Sequence, residues 1–214
     1  MLGFDAKILD YVEQFTSPES PVLQQIVRET HLEVLMPRML SGHLQGRLLA
    51  LLSTLVKPKR VLEIGTFTGY ATLCLAEGLP PEGKIITIEV NEELEKRLHR
   101  YFKAAGYHPQ IDLRIGNAMQ VIDTLEETFD LVFIDADKKN YLHYYQKIMP
   151  KVKIGGLVIA DNVLWSGKVT TPIEQMDKDT QAIHLFNDFV KNDTSVEQIL
   201  LPIRDGLYLI KKIG

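Results

Sequence analysis

The chain has 214 residues, of which 45% are hydrophobic and 24% are charged, and its formal net charge is −4. These ordinary values predict one globular domain with a substantial core. The acidic balance gives no general attraction for nucleic acid or for an anionic membrane, so we expect neither as a partner. The single cysteine, Cys74, excludes an internal disulfide and a cysteine-based zinc site, which indicates a reducing compartment.

The N-terminal segment and the hydropathy of the chain predict neither export nor membrane insertion. The stretch from Met1 to Lys7 lacks a basic segment followed by an apolar core. No apolar run approaches the roughly 18 residues that a membrane span needs. We therefore expect a cytoplasmic protein.

Residues 1–56 are predicted to be helical and contain no strand candidate. Helices are expected from Ala6 to Phe15, from Pro21 to about Glu33, and from about His43 to Val56. From Lys59 onward, strands and helices alternate, which is typical of a parallel sheet with crossover helices. The five predicted strands run over residues 60–64, 84–89, 111–115, 131–134 and 157–160.

The last third of the chain departs from this alternation. Residues 166–178 show no clear period, and a loop of that length suggests a functional role. A helix is predicted from about Thr180 to Lys191. Two runs then flank Arg204-Asp205-Gly206, from Val196 to Leu201 and from Leu207 to Ile213, and this pattern predicts an antiparallel hairpin.

Two of the short apolar runs end in side chains that carry oxygen ligands. Asp135 follows the run 131–134, and Asp161 and Asn162 follow the run 157–160. Short, wholly apolar runs are typical of strands buried on both faces, and ligands bind at the carboxyl ends of such strands. Because carboxylates are seldom buried unless they are paired or bind a metal, we predict a divalent cation site. The alternatives are a helix N-cap at Asp135 and a turn at Asp161-Asn162.

The turn after the first strand carries glycines where a nucleotide-containing cofactor would lie against a helix. Its sequence is Glu63-Ile-Gly65-Thr-Phe67-Thr-Gly69. The dinucleotide fingerprint needs a second glycine two residues after the first, and that position is Phe67, so a phosphate cradle is not expected. S-adenosylmethionine has no phosphate and suits this turn. Glu89 ends the second strand, where a carboxylate can accept hydrogen bonds from ribose hydroxyls.

In combination, these motifs resemble the cation-dependent O-methyltransferases, which include catechol O-methyltransferase and the caffeoyl-CoA type. The similarity covers essentially the whole chain and includes Glu63-x-Gly65-x-x-x-Gly69, Glu89, Ile134-Asp-Ala-Asp-Lys138, Asp161-Asn162, Trp165 and Asp205-Gly206. It implies a Rossmann-like α/β fold. The expected sheet has seven strands, is mostly parallel with a C-terminal antiparallel hairpin, and carries helices on both faces and extra N-terminal helices.

The resemblance also implies the domain organisation. Residues 1–214 would form a single S-adenosylmethionine-dependent methyltransferase domain. Within it, residues 1–56 would be a helical cap and dimerisation region, and residues 57–214 the catalytic α/β core. A homodimer is the expected assembly.

The resemblance assigns a divalent cation, usually Mg²⁺ with Mn²⁺ or Ca²⁺ as alternatives, to Asp135, Asp161 and Asn162. Two carboxylates and an amide form a hard, all-oxygen set, which leaves positions for the two oxygens of a vicinal aromatic diol. Lys138 resembles the general base of the family. Because an ordinary lysine is protonated at neutral pH, this role requires a nearby dication and partial desolvation. Asp137 is expected either to have a structural role or to support the cation ligands without binding the cation itself.

The remaining site residues are carried over from the family position by position. Substrate contacts are expected at Lys138, Asn162 and Trp165. At residues 116–118 the sequence departs somewhat from the familiar pattern, because Asn117-Ala118 permits an adenine contact without requiring it. The predicted cofactor-binding residues are Met39, Ser41, Glu63, Gly65, Tyr70, Glu89, Gly116, Asn117, Ala118 and Asp135.

The predicted function is transfer of the S-adenosylmethionine methyl group to one hydroxyl of a small catechol-like molecule. A coenzyme A ester of a phenylpropanoid or another hydroxylated small molecule is the main alternative. No strongly basic run marks a coenzyme A clamp, which favours free catechols. Phe67 argues against a nucleotide-dependent oxidoreductase, and the acidic net charge argues against RNA as the acceptor. A non-catalytic cofactor-binding module is disfavoured by the presence of Lys138 and the cation set.

Overall fold

The computed structural model describes residues 5–214, so the expectation drawn from Met1 to Lys7 falls partly outside it. The described chain divides into two compact units, residues 5–118 and 119–214. None of its helices is long and apolar enough to cross a membrane. The assignment of the chain to a single domain stays a prediction.

The N-terminal part of the first unit is helical, as predicted, with short 3₁₀ turns between some elements. α2 begins after Ser20, whose hydroxyl accepts from the Leu23 N–H, and Pro21 occupies its first position. α3 ends at Val56, and the next residue, Lys57, adopts a left-handed conformation. The helices of this unit are α1 Ala6–Gln14, α2 Pro21–Glu33, α3 His43–Val56, α4 Tyr70–Ala76 and α5 Glu95–Ala104, and α6, Ala118–Thr124, begins at its end.

Three parallel strands form the sheet portion of the first unit. They are β1 Arg60–Ile64, β2 Lys84–Glu89 and β3 Ile111–Ile115, in the order β3-β2-β1. Both neighbouring pairs are parallel, so all three strands end at the same edge of this sheet portion. That edge carries Glu63, Glu89 and the turns that follow the strands.

Four strands form the sheet portion of the second unit, in the order β4-β5-β7-β6. β4 and β5 are parallel, whereas β7 runs antiparallel to both β5 and β6. Together with β1–β3 they make the seven strands of a mixed, mostly parallel sheet within residues 5–214, which confirms the predicted fold class. The strands are β4 Phe129–Ile134, β5 Val152–Asp161, β6 Val196–Leu201 and β7 Leu207–Lys212, and the helices are α7 Tyr141–Ile148 and α8 Lys178–Asn192.

The second unit differs from the sequence prediction at the starts of β4, β5 and α8. β4 begins at Phe129, two residues before the predicted start at residue 131. β5 begins at Val152 instead of at residue 157, because Val152 already pairs with Phe129 of β4. The register then shifts before Leu157 pairs with Leu131, and Gly155, between them, has a φ angle of 83°. α8 begins at Lys178, two residues earlier than predicted. Its N-cap is Asp177, whose carboxylate accepts from the main-chain N–H of Thr180 at 2.8 Å and from its hydroxyl at 2.7 Å.

Candidate active site

The glycine-bearing turn after β1 is a compact loop that the ends of β1 and β2 hold in place. The main-chain N–H groups of Gly65 and Thr66 both donate to the Ile88 carbonyl, at 3.0 and 3.2 Å. Gly65, Phe67 and Gly69 all have positive φ angles, of 98°, 49° and 80°. Gly69 also packs closely against α5, since a Cβ there would lie 2.9 Å from a side-chain carbon of Phe102. The turn therefore requires glycine at position 69 for both conformation and packing.

Glu89 holds this turn from the end of β2. Its Oε2 accepts from the Phe67 N–H at 2.7 Å, and its Oε1 accepts from the Asn91 N–H at 2.8 Å. The side chain is 7% exposed. Each carboxylate oxygen has two lone pairs, so both oxygens keep capacity for one further donor. Glu89 can therefore position Phe67 and still receive two ribose hydroxyls, which fits the predicted role.

Glu63 lies deeper than a direct cofactor contact would suggest. It is fully buried, and its Oε2 accepts from the hydroxyls of Thr72 and Thr87, both at 2.5 Å. Thr87 also hydrogen-bonds to the hydroxyl of Thr66 at 2.5 Å. Glu63 thus joins β1, β2 and α4 beneath the turn. Its contact with the cofactor stays a prediction.

Tyr70 is also buried, and its hydroxyl has a protein partner. It donates to Glu19 Oε1 at 2.5 Å, and burial raises the pKa of Tyr70. The ring lies against Gly46, where a Cβ would approach within 2.5 Å of a ring carbon. A cofactor contact at position 70 therefore falls to the main chain at the start of α4. This role also stays a prediction.

The other predicted cofactor residues of the first unit lie at the ends of elements. Met39 is 55% exposed, whereas Ser41 is buried just before α3. Gly116 follows β3, and its N–H donates to the Glu89 carbonyl at 2.8 Å, which ties the end of β3 to the end of β2. Asn117 is exposed and Ala118 begins α6. Their contacts with adenine stay predictions.

In the second unit, the amine of Lys138 joins side chains that follow β4 and β5. Its Nζ lies 3.2 Å from Asp135 Oδ1, 2.8 Å from Asn162 Oδ1 and 2.5 Å from the Tyr141 hydroxyl. The Lys138 side chain is only 9% exposed. An ammonium group has three N–H donors, and each finds an oxygen here. The structure therefore brings together three of the predicted site residues.

Asp161 and Asn162 form the other half of this arrangement. Asp161 ends β5 and is buried, and its Oδ1 accepts from the Asn162 N–H at 2.7 Å. Asn162 has a φ angle of 60°, a left-handed conformation that asparagine tolerates better than most residues. In this conformation, the amide oxygen of Asn162 lies 2.8 Å from the Lys138 amine.

The donor set suits a hard divalent cation. Oxygens of Asp135 and Asn162 converge on one positive charge, the Lys138 ammonium, and the carboxylate of Asp161 adjoins Asn162. Carboxylate and amide oxygens are preferred ligands of Mg²⁺ and Ca²⁺. Residues 5–214 contain no cluster of three or more histidine, cysteine, aspartate or glutamate side chains that could hold a metal. A cation here would therefore depend on the Asn162 amide as its third protein ligand.

Asp137 and Asp135 have different partners. Asp137 accepts from the Tyr144 hydroxyl at 2.5 Å and from the Asn140 amide at 2.6 Å, which matches the structural role expected for it. The alternative prediction, that Asp135 caps the helix that follows it, is wrong. Asp137 occupies the cap position of the following 3₁₀ turn, and the Asp135 carboxylate accepts from Lys138 instead.

Tyr141 is the residue that sequence reasoning missed, because its helical spacing indicated packing alone. Its hydroxyl accepts from Lys138 and donates to the Asp161 carbonyl at 2.8 Å. It is fully buried, and this burial, followed by the charges of Asp135 and Asp161, raises its pKa well above the ordinary value. The available signal was its position three residues after Lys138, because side chains three apart are aligned in a 3₁₀ turn such as the one that leads from Lys138 into α7.

Trp165 lies beside the amine of Lys138, with its ring centroid 5.8 Å from Nζ. It is partly exposed, as an aromatic wall for a ligand would be. The structure thus brings Trp165, Asp135, Lys138 and Asn162 together in the second unit. An acceptor ring beside Trp165 stays a prediction.

The chain matches known proteins over nearly its full length. The O-methyltransferase family model matches residues 13–213. A caffeoyl-CoA O-methyltransferase from Eucalyptus globulus is 33% identical over 226 residues, which cover 100% of this chain and 91% of that protein.

Solved structures agree with this relationship. The O-methyltransferase TomG from Streptomyces achromogenes, in complex with S-adenosylmethionine, matches with a TM-score of 0.89 at 29% identity and covers 97% of this chain and 96% of its own. An O-methyltransferase from Bacillus cereus, in complex with S-adenosylhomocysteine, matches with a TM-score of 0.88 at 26% identity and 96% and 97% coverage. The chain therefore belongs to the O-methyltransferase family and is an S-adenosylmethionine-dependent O-methyltransferase related to the caffeoyl-CoA type.

Proposed function

We propose that this enzyme methylates one hydroxyl of a vicinal aromatic diol, with a divalent cation held by Asp135, Asp161 and Asn162. The observation that carries the proposal is the convergence of Asp135 Oδ1 and Asn162 Oδ1 on the Lys138 amine, at 3.2 and 2.8 Å. Two neighbouring hydroxyls match such a site because they can present two oxygens to it at once. When bound, the cation would act as a Lewis acid that favours the ionised form of a phenol.

Lys138 is the proposed general base. In the reactive form its amine is neutral and accepts the proton of the hydroxyl that is to be methylated. The phenolic oxygen then forms a bond to the methyl carbon as the bond between that carbon and sulfur breaks, and S-adenosylhomocysteine leaves. Tyr141 holds the amine, and no covalent enzyme intermediate is required, so the protein contributes alignment and charge placement.

The residues proposed to bind S-adenosylmethionine belong to the first unit, except for Asp135. Glu89 would accept hydrogen bonds from the ribose hydroxyls, and the main chain of the turn between Gly65 and Tyr70 would contact the methionine portion. Met39, Ser41, Glu63, Gly116, Asn117 and Ala118, together with Asp135, complete the proposed set. Each carboxylate oxygen of Glu89 can accept one further hydrogen bond, which supports this assignment.

A panel of acceptors with S-adenosylmethionine and Mg²⁺ tests the proposal. Products resolved by mass and by methyl position should show monomethylation of vicinal diols and none of the matching monophenols. Excess EDTA should abolish turnover and added Mg²⁺ should restore it. Undiminished turnover in EDTA would refute the cation mechanism.

A pair of matched variants sharpens this test. Asp135→Asn should lower turnover strongly and weaken its dependence on Mg²⁺. Asp137→Asn should do neither, because the Asp137 carboxylate is engaged by Tyr144 and Asn140. Calorimetry should give a native affinity for S-adenosylmethionine in Asp137→Asn. In Asp135→Asn it measures how much of the lost turnover comes from the cofactor contact that is also proposed for Asp135.

A coenzyme A ester is the second candidate acceptor. The relative from Eucalyptus globulus, 33% identical over the full chain, is named for caffeoyl-CoA. TomG is described as involved in tomaymycin synthesis, and that description mentions no coenzyme A ester. Including caffeoyl-CoA and caffeate in the same panel decides between the two, since the preferred acceptor will have the higher kcat/KM.

We also propose that two copies associate through the N-terminal helices, and that the protein is cytoplasmic. Large apolar side chains are exposed on α3, where Leu51 and Leu55 are 57% and 72% exposed, and on α1, where Tyr11 and Phe15 are 60% and 73% exposed. Leu51 and Leu55 are four residues apart and share a helix face. Light scattering should show a dimer for the native protein and a monomer for Leu51→Glu, and a monomeric native protein would contradict this assembly.

A further inference from the structure

The segment after β5 contains an unusual concentration of left-handed backbone. Trp165, Ser166 and Gly167 have φ angles of 47°, 56° and 78°, and Asn162 precedes them with 60°. Residues other than glycine adopt this region at an energetic cost, and they keep it only where the surrounding structure imposes it. The Trp165 ring, which this part of the main chain carries, lies 5.8 Å from the Lys138 amine.

The turn of the β6–β7 hairpin supplies the contacts that impose this conformation. The Asp205 carboxylate accepts from the Ser166 N–H at 2.5 Å, and the Asp205 carbonyl accepts from the Leu164 N–H at 2.8 Å. The Gly206 carbonyl accepts from the Val163 N–H at 3.2 Å. Three N–H groups within four residues are therefore bound by two adjacent residues of the hairpin turn.

Gly206 must be a glycine for this approach to occur. Its φ angle is 92°, and a Cβ at this position would lie 2.6 Å from Leu164 Cγ and 2.9 Å from the Leu164 main-chain nitrogen. Real Cβ atoms do not approach main-chain atoms so closely. A side chain here would push the segment away from the hairpin, so the close contact is part of the architecture.

α8 holds the same segment from another direction. The Asn187 amide nitrogen donates to the Val163 carbonyl at 2.8 Å, while the Val163 N–H is held by the hairpin. Val163 itself is completely buried. The N–H and the carbonyl of Val163 are therefore both hydrogen-bonded, which fixes the start of the segment. In the residues that follow, Asp205 binds the N–H groups of Leu164 and Ser166.

We infer that Asp205 is a positioning residue for acceptor binding, which acts by holding the main chain around Trp165 so that the indole stands beside the Lys138 amine. The carboxylate fixes Ser166, the residue directly after Trp165, and the carbonyl fixes Leu164, the residue directly before it. Both neighbours of Trp165 are therefore tied to one hairpin residue. The inference rests on the proposed function only in assigning the acceptor to this place.

The alternative is that Asp205 stabilises its own hairpin turn and nothing more, because aspartate followed by glycine is a common turn pair. Asp193 offers a matched control in the same unit. Its carboxylate also spans a turn, by accepting from the Ser195 N–H at 2.9 Å and from the Ser195 hydroxyl at 2.6 Å. Its second carboxylate oxygen accepts from the Tyr145 hydroxyl at 2.8 Å instead of from residues 162–167, so its loss should affect stability alone.

The fluorescence of Trp165 gives a direct readout, because it is the single tryptophan of the chain. Acrylamide quenching should be about twofold more efficient in Asp205→Ala than in the native protein, since one anchoring hydrogen bond is lost. Asp205→Asn should restore native quenching, because its amide oxygen can accept from Ser166 in the same way. Asp193→Ala should show native quenching even if its Tm falls.

Kinetics supply the second readout. For a vicinal diol or coenzyme A ester that the native enzyme methylates, Asp205→Ala should raise the acceptor KM roughly fivefold to tenfold, as expected for one lost hydrogen bond. The dissociation constant of S-adenosylmethionine should not change, and Asp205→Asn should rescue the KM. A KM effect shared equally by Asp193→Ala would overturn the inference.

The two readouts separate this inference from the proposed function. Native quenching in Asp205→Ala would refute the positioning role whatever the acceptor is. Increased quenching with rescue by Asp205→Asn would support it even if the native enzyme methylated no vicinal diol, in which case the proposed acceptor class alone would fail.

Discussion

The Tyr141 hydroxyl lies 2.5 Å from the Lys138 amine and donates to the main-chain carbonyl of Asp161 at 2.8 Å. A fully buried tyrosine on α7 therefore links the proposed base to the end of β5. Because the lysine stem is long and flexible, such a link restricts where the amine can lie.

The first prediction concerns this link. Tyr141→Phe removes the hydroxyl while keeping the ring, so the Lys138 amine loses one of its three oxygen partners. We expect kcat to fall about tenfold, in line with a lost hydrogen bond of about 1.5 kcal/mol to a charged group. S-adenosylmethionine affinity should be unchanged when it is measured by calorimetry.

Tyr144→Phe is the matched control for Tyr141→Phe. Tyr144 is on the same helix and its hydroxyl donates to Asp137 instead of contacting Lys138. Its loss should leave kcat close to native. Equal losses of kcat in the two variants would mean that the helix, and not the Lys138 contact, accounts for the effect.

The second prediction concerns Lys138 itself. Lys138→Met keeps much of the stem but removes the amine, and we expect kcat to fall about 10²–10⁴-fold, the usual contribution of a general base. Lys139→Met is the control, because Lys139 is exposed. Steady-state kinetics should show a native kcat for the control, and a native kcat for Lys138→Met would exclude Lys138 as the base.

The third prediction concerns cofactor binding at Glu89. Glu89→Ala should weaken S-adenosylmethionine binding by at least tenfold, because hydrogen bonds to a charged carboxylate contribute about 1.5–3 kcal/mol each. The variant also frees the Phe67 N–H that Glu89 holds. Glu92→Ala, an exposed carboxylate near the same strand end, should bind the cofactor with native affinity in calorimetry.

The fourth prediction concerns stability and pH at Glu29, which ties α2 to α5. Hydrogen bonds from Tyr101, at 2.6 Å, and Gln25, together with the charge of Arg100, lower the pKa of Glu29 to about 2. A carboxylate whose pKa is lowered in the folded state stabilises the protein above its ordinary pKa. That contribution is lost as the pH falls from about 4.5 to about 2.

Glu29→Gln should therefore lower Tm at neutral pH by roughly 2–4 °C, which corresponds to about 1 kcal/mol for a partly exposed ion network. The difference from the native protein should shrink below pH ~4 and vanish near pH ~2. Thermal denaturation followed by circular dichroism across this range measures it. Glu33→Gln, whose partner is Arg97, should have a smaller effect, since Glu33 is 53% exposed against 18% for Glu29. A Tm difference that does not depend on pH would contradict the assignment.

Much of this protein could be predicted from local patterns in the sequence. The bounds of β1, β2, β3 and β6 follow from short apolar runs between turn residues, and those of α2 follow from Ser20, Pro21 and the helical period. The residue types at the proposed cation site could also be predicted, because aspartate and asparagine stand directly after buried strands. These properties depend on neighbours within a few residues.

Tertiary structure decided which side chains meet, because that depends on contacts between residues far apart in sequence. Tyr141 reaches Asp161 across 20 positions, Glu63 reaches Thr87 across 24, and Asp205 reaches Ser166 across 39. No local period encodes such contacts, since strand register and helix docking set them. The sequence by itself therefore determined the fold class and which oxygen-bearing side chains follow the buried strands. The folded chain decided that Tyr141 holds Lys138 and that a hairpin turn holds the main chain on both sides of Trp165.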